Sequence, residues 1–318
     1  MSKNYKVLAY YVFTHIENPE LEVLRQKEIL KKLDGRARIY ISHEGINGQL
    51  SLPEETTQEY IDWLYADGRF GEAEVKLHDW PEHAFAKLTV KTRKELVAVD
   101  RKIDLSKRGS YLSPQEWKEK LDHLDEDTLL IDVRNNYESD VGYFEGAIKP
   151  DLETFRGFPE YAKDLATKVD LKKTKVMMYC TGGIRCELYS ALMKEEGFND
   201  VFQLKGGVIQ YGLKEGKEHW RGKLFVFDDR MVVPISDDNV EVIGKCRFCE
   251  EKVDMYYNCA NMDCNELFLS CPDCVVKNKG CCEPKCLEGR VRAFDPNHRP
   301  RPFRKLSKDE KSHLPALV

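Results

Sequence analysis

An apolar run, Val176-Met177-Met178-Tyr179, ends at Cys180 and is followed by Thr181-Gly182-Gly183-Ile184-Arg185-Cys186. A thiol in that place can become a thiolate. The backbone N–H groups from Thr181 to Cys186 can curl into a concave nest around the sulfur, with the positive end of a following helix behind them. Such a thiol ionises below the free value of roughly 8.5, and the nest would equally hold a persulfide sulfur or another small anion. Arg185 adds a full positive charge. The plainer alternative, a buried cysteine closing a strand, sits poorly with two glycines and an arginine directly after it. Cys186 has two readings, a resolving thiol for an oxidised or persulfidated Cys180 or a small residue packed at the helix start, and packing is the expectation.

A second cysteine group follows. Cys246-x-x-Cys249, Cys259, Cys264, Cys271-x-x-Cys274, Cys281, Cys282 and Cys286 crowd one stretch of the chain, and both C-x-x-C pairs have the bite of a zinc knuckle. Structural zinc is the expectation. Against it stands a reduced or redox-active cluster without metal, because no histidine interleaves and the adjacent pair Cys281-Cys282 is awkward for one site. Nine candidates exceed the eight that two tetrahedral sites need, so at least one is spare and the pairing stays open.

Basic residues form a third pattern. In the strand-like stretch from Phe85 to Val90 and its flanks, Ala84, Ala86, Leu88 and Val90 make an apolar face. His83, Phe85, Lys87, Thr89, Lys91 and Arg93 make the other, with Lys94 following. Lys87, Lys91, Arg93 and Lys94 could track a phosphate backbone while a ring stacks on an unpaired base, a pattern suited to single-stranded RNA loops. A solvated edge strand guarded by lysines is the alternative. Residues 290–318, rich in arginine and proline, read as an extended tail whose charges also suit phosphates.

The elements that must position these groups can be read from periodicity. Tyr5 to Phe13, Arg36 to Ser42, Gly48 to Leu52, Glu74 to Leu77 and Phe85 to Val90 are strand-like, while Pro19 to Leu33 and Glu54 to Tyr65 are helix-like. This order, β-α-β-β-α-β with an extra or split final strand, implies an N-terminal ferredoxin-like α+β sandwich over residues 1–98. His43-Glu44-Gly45-Ile46-Asn47-Gly48 reads as a hairpin turn, Gly45 and Asn47-Gly48 supplying the positive φ angles, with a functional role for Glu44 and Asn47 open. A charged linker is expected at 99–112. Ser113, Pro114 and Glu116 form a capping box that opens a second domain, expected over 113–222. Asp132 and Arg134 are expected to brace a strand end. Lys223 to Ile235 reads as two strands about an Asp-Asp-Arg turn, the start of a hairpin and cysteine-rich segment at 223–289.

Composition bounds the setting. A net charge of -5 over 318 residues gives no global pull toward nucleic acid or membrane. No apolar stretch reaches the length of a membrane span, and the first residues lack the apolar core of a signal peptide, so a cytoplasmic protein is expected. Eleven cysteines in that setting point to metal or redox chemistry rather than disulfides.

Loop length separates two chemistries of a cysteine nest. Cys180 to Arg185 is C-x-x-x-x-R, one residue short of the loop that wraps three phosphate oxygens in cysteine phosphatases, so the nest suits sulfur better than a phosphoryl group. The loop resembles a rhodanese active site. Leu130-Ile131-Asp132-Val133-Arg134, Phe144-Glu145-Gly146-Ala147-Ile148 and Val201 to Val208 resemble other rhodanese signatures, which implies a central α/β domain with a parallel sheet. Over its whole length the chain resembles the bacterial rhodanese-domain tRNA uridine hydroxylases. The resemblance adds His43 to Gly48, Lys91-Thr92-Arg93-Lys94-Glu95, Phe225 to Arg230 and the cysteine-rich end. It implies oxygen-dependent 5-hydroxylation of the wobble uridine, molecular oxygen as co-substrate, the tRNA anticodon loop as partner, and Cys180 as catalytic cysteine. The residues themselves reach less far. A low-pKa cysteine in a nest points most directly to sulfur transfer, and a non-catalytic RNA-binding or redox-sensing module is a further alternative. No flavin or nicotinamide fingerprint and no 2-His-1-carboxylate pattern is present, and neither an electron donor nor an oligomeric state is written in the sequence.

Overall fold

Strand β1 (Tyr5–Phe13), helix α1 (Pro19–Lys32), strands β2 (Arg36–Ser42) and β3 (Gly45–Pro53), helix α2 (Glu54–Tyr65) and strand β4 (Lys76–Trp80) build the expected sandwich, with β5 (Leu88–Thr92) as the extra strand. The computed structural model describes residues 4–99, 101–151, 155–236 and 240–294. The sheet order is β4-β1-β3-β2-β5, antiparallel except where β5 lies parallel to β2. One face buries Leu8, Tyr10, Ile39, Ile41, Ile46, Leu50 and Val90 against Val23, Leu30, Tyr60, Ile61 and Leu64 of the two helices. Alternation along the strands thus sends Leu8 and Tyr10 of β1 to this core, while Val7 on the opposite face packs with Ala84 and Phe85.

The turn after β2 differs from the expectation. His43 and Glu44 alone form it, and only Gly45 has the positive φ, at 142°. A side chain there would place its Cβ 2.0 Å from the Val12 carbonyl oxygen. Asn47 and Gly48 lie within β3 instead, and Gly48 is needed because a Cβ would meet the Tyr10 ring at 2.6 Å. The segment read as a linker is also built in. Val99 is buried in the core of the following domain, Ile103 and Leu105 pack against that core, and the apolar content of the segment explains why.

The chain continues through β6 (Ser110–Leu112), α3 (Pro114–Asp122), β7 (Thr128–Asp132), α4 (Asn136–Ser139), β8 (Gly142–Phe144), α5 (Phe158–Ala166), β9 (Lys175–Tyr179), α6 (Ile184–Glu195), β10 (Asp200–Leu204) and α7 (Gly207–Glu215). Strands β6-β10-β9-β7 form the anticipated parallel sheet. The capping box at α3 is present, Ser113 Oγ accepting from the Glu116 N–H and Glu116 from the Ser113 N–H. Asp132 and Arg134 brace the end of β7 as expected. Arg134 Nε donates to Asp132 Oδ1 at 2.8 Å, and the Tyr179 hydroxyl donates to Asp132 Oδ2 at 2.9 Å.

Two units emerge, and the division does not follow sequence order. Residues up to Asn135 with Gly146–His219 form one; Asn136–Glu145 with the chain from Trp220 onward forms the other. In the second unit β8 pairs with β11 (Trp220–Gly222), and β12 (Leu224–Phe225) pairs with β13 (Val232–Val233). Asp228 and Arg230 repeat the Asp132–Arg134 brace in the turn between β12 and β13, with Nε to Oδ1 at 2.9 Å. Strands β14 (Tyr256–Asn258) and β15 (Leu267–Leu269) and helix α8 (Pro272–Lys277) complete it. Arg290 pairs with Asp263, and the rest of the basic tail, from residue 295, lies outside the described residues.

A charged cluster locks α1 to the turn after α2. Arg69 and Arg25 both donate to Asp67 and to the buried carboxylate of Glu22. The Arg69 guanidinium holds the Asp67 carboxyl well below the usual carboxylate range. A carboxyl with a depressed folded pKa stabilises the fold above its unfolded pKa and loses that contribution as pH falls. Asp67→Asn should therefore cost about 1–2 kcal/mol at neutral pH. In denaturant titrations the gap from wild type should narrow steadily below about pH 4.

Candidate active site

Cys180 sits where β9 ends, at the carboxyl edge of the parallel sheet, which is the edge where such sheets present ligand sites. The loop that follows tightens at Gly183, whose φ of 102° starts α6. Its N–H donates to Cys180 Sγ at 3.1 Å. Helix α7 clamps the loop from the other side: the N–H groups of Val208 and Ile209 donate to the carbonyls of Cys180 and Thr181 at 3.0 and 3.1 Å. Gly207 permits that approach, since a Cβ would lie 2.6 Å from the Cys180 carbonyl oxygen.

The thiol is fully buried, and burial alone would push its pKa up. The hydrogen bond from Cys186, the charge of Arg185 and the N–H groups of Cys186 and Arg185 outweigh burial and hold the pKa down at about 5. Cys180 is therefore a thiolate at neutral pH. Cys186 is itself buried in the core around α6, and burial together with its bond to Cys180 pushes its own thiol well up. It both packs and donates. Arg185 is 4% exposed and reaches Thr181 Oγ1 at 3.4 Å, so its charge is delivered inside the loop.

The surroundings of the loop come from the N-terminal sheet, which periodicity could not foresee. Tyr11 of β1 donates from its hydroxyl to Glu187 Oε1 at 2.8 Å, and that hydroxyl lies 2.9 Å from where a Gly183 Cβ would be. Tyr111 donates to the same carboxylate at 2.8 Å, and Arg108 stands 3.6 Å from it. Lys76 of β4 is 4% exposed, with its ammonium 5.6 Å from the centre of the Tyr11 ring. Burial lowers the pKa of Lys76, while the charges of Glu74, Cys180 and Glu187 act to raise it. Tyr11, Lys76, Tyr111 and Glu187 went unnoticed in the sequence because each belongs to an element whose pattern is complete without it. A lysine between Val75 and Leu77 at a strand start was the one available signal.

The basic residues take a different form from the stripe expected. Lys87, Lys91, Arg93 and Lys94 are all exposed. Phe85, however, is buried with Val7 and Ala84, because β5 begins only at Leu88 and the alternation does not extend back to it. The ring beside these cations is Tyr40 of β2, in register with Lys91 and 4.5 Å from the Arg93 guanidinium. Across the sheet the register row is Tyr11, Asn47, Tyr40, Lys91. That row starts at the residue bonded to Glu187 and ends at the basic edge.

The cysteines of the second unit form two tetrads, Cys246, Cys249, Cys271, Cys274 and Cys259, Cys264, Cys282, Cys286, either of which could hold a metal ion. No helix among the described residues is long and apolar enough to cross a membrane.

Comparison with known proteins agrees with this architecture. Family models match in succession: a UPF0176 acylphosphatase like domain at residues 5–96, a rhodanese-like domain at 113–213 and a rhodanase C-terminal domain at 221–287. The tRNA uridine(34) hydroxylase of Chlamydia felis is 51% identical over 309 residues, 96% of this chain and 94% of its own length. That of Chlamydia trachomatis serovar D is 52% identical over 308 residues, again 96% of this chain and 94% of its own.

The balance at the sulfur has a direct readout. In the difference between wild type and Cys180→Ser, the ultraviolet absorbance of the thiolate should titrate with a midpoint near pH 5, the thiolate form persisting above it. Arg185→Met should raise the midpoint by about one unit or more, as expected for losing a buried opposite charge.

Proposed function

The chain belongs to the tRNA uridine(34) hydroxylase family, and from that membership we propose that it converts the wobble uridine of tRNA to 5-hydroxyuridine through the thiolate of Cys180. The observation that carries this reading is a thiolate held inside a loop of Gly183, Arg185 and Cys186 and adjoined by Tyr11 of the N-terminal sheet. The C5–H bond of uracil is a poor target for oxygen. Addition of the thiolate to C6 raises electron density at C5 and makes it a nucleophile toward an oxidant. Molecular oxygen supplies the atom inserted at C5. Balance then requires two electrons and two protons from an external donor, which reduce the second oxygen atom to water. Elimination of Cys180 from C6 restores the ring and the free thiolate.

The substrate approaches along the register row. Phosphates of the anticodon loop meet Lys87, Lys91, Arg93 and Lys94 at the sheet edge, an unpaired base stacks at Tyr40, and the next position lies toward Tyr11 and Cys180. A tRNA substrate fits an enzyme that works in the cytoplasm.

Nucleoside mass spectrometry of tRNA incubated with the protein, oxygen and a reductant tests the reaction. Wild type should add one oxygen at uridine 34, and Cys180→Ser should lose at least about a thousandfold in rate, as expected when a nucleophile is removed. Full activity in that variant would exclude the thiolate, and sulfur replacing oxygen in the product would exclude hydroxylation. Binding is separable from chemistry. Lys91→Glu with Arg93→Glu should weaken tRNA binding roughly tenfold or more and flatten its salt dependence, without moving the Cys180 titration.

A further inference from the structure

The second unit carries nine cysteines that the chemistry at Cys180 does not use, none of them in a disulfide. We propose that eight of them bind two zinc ions in interleaved tetrathiolate sites, one formed by Cys246, Cys249, Cys271 and Cys274, the other by Cys259, Cys264, Cys282 and Cys286. Cys281 stays outside both.

Sulfur spacing supports a single ion in each site. Within each tetrad all four Sγ atoms lie within 4.8 Å of one another. With Zn–S bonds of about 2.3 Å, the edge of a sulfur tetrahedron is about 3.8 Å. The Sγ–Sγ separations are 3.8 Å for Cys249–Cys271, 3.6 Å for Cys264–Cys282 and 3.7 Å for Cys282–Cys286. A multi-iron cluster would hold its ligands farther apart, with several atoms between them. Four closed protein ligands also leave no open position, the mark of a structural rather than a catalytic ion.

The backbone is shaped for thiolates. The Cys274 N–H donates to Cys271 Sγ and the Cys282 N–H to Cys259 Sγ, each at 3.4 Å. Glu250, directly after Cys249, and Asn265, directly after Cys264, take the left-handed conformation with φ of 61° and 52°, so both sites close with the same tight turn. Cys281 is different: its Sγ falls outside both four-sulfur groups and lies 3.4 Å from the Cys286 carbonyl oxygen. The spare cysteine is thereby identified.

Order along the chain gives the arrangement its consequence. The ligand pairs alternate, first site, second site, first site, second site, so each ion closes a loop containing half of the other's ligands. The strands here are two or three residues long, and Cys246, Cys271, Cys259, Cys282 and Cys286 are themselves buried members of two small apolar clusters. Such a core cannot order the segment alone, and metal binding becomes folding energy. Loss of one ion should loosen the second. This inference is independent of the reaction at Cys180.

Elemental mass spectrometry of the full-length protein, purified without added metal, reads the stoichiometry. Two zinc per chain are expected in wild type and in Cys281→Ser. Cys249→Ser and Cys264→Ser, altering one exposed ligand of each site, should each fall to one zinc or fewer, with the C-terminal segment becoming protease-sensitive. Exchange into cobalt(II) in the wild-type chain should give the visible spectrum of a tetrahedral tetrathiolate at two ions per chain, a measurement that needs no variant. A protease-resistant C-terminal segment without metal, stoichiometric iron in place of zinc, or zinc loss in Cys281→Ser would overturn the assignment.

Discussion

Everything at the candidate active site depends on keeping a negative sulfur inside protein. Burial opposes the charge on Cys180, and the loop overcomes it with the Gly183 N–H, the thiol of Cys186 and the guanidinium of Arg185. Each donor is held by something else. Gly183 starts α6, Cys186 is packed in that helix's core, and α7 grips the loop's own carbonyls across Gly207. A preorganised nest of this kind costs nothing at the moment of reaction, because the dipoles already point at the charge.

The N-terminal sandwich adds its own side chains to the surroundings of the thiolate loop. A parallel sheet with a cysteine loop can serve several sulfur and anion chemistries, and fold alone does not choose among them. Tyr11 closes over the loop and shares Glu187 with Tyr111, while Lys76 brings a buried ammonium to the same place. The register row from Tyr11 to Lys91 then links this chemistry to a basic, ring-bearing edge. Under the proposed function, a polynucleotide substrate and its reacting base would meet along this row.

Local patterns were legible where one element settles its own fate. The strands and helices of the sandwich, the Ser113–Glu116 box, the Asp132–Arg134 brace and the loop at Cys180 all follow from spacing within a few residues. Misreadings came where a neighbour decides. Asn47 and Gly48 are typical turn residues, yet Gly48 is there because the Tyr10 ring lies against it. Phe85 alternated with lysines on paper but is buried, since β5 begins three residues later. Val99 and Ile103 looked like linker residues among charges and instead fill the core beside β9 and α6.

The sequence by itself carried the family and the candidate reactive group: a cysteine, two glycines and an arginine in a short loop where a strand meets a helix favour a thiolate, because N–H dipoles and one charge act over a few ångströms. It also carried the expectation of metal at the cysteine-rich end, from two C-x-x-C pairs. Only the tertiary structure decided which residues surround Cys180 and how the nine cysteines divide. Tyr11 and Glu187 are 176 positions apart, and Cys259 and Cys282 are 23 apart, so their meeting depends on sheet register and chain threading. Those are set by the packing of whole elements, which no local spacing encodes.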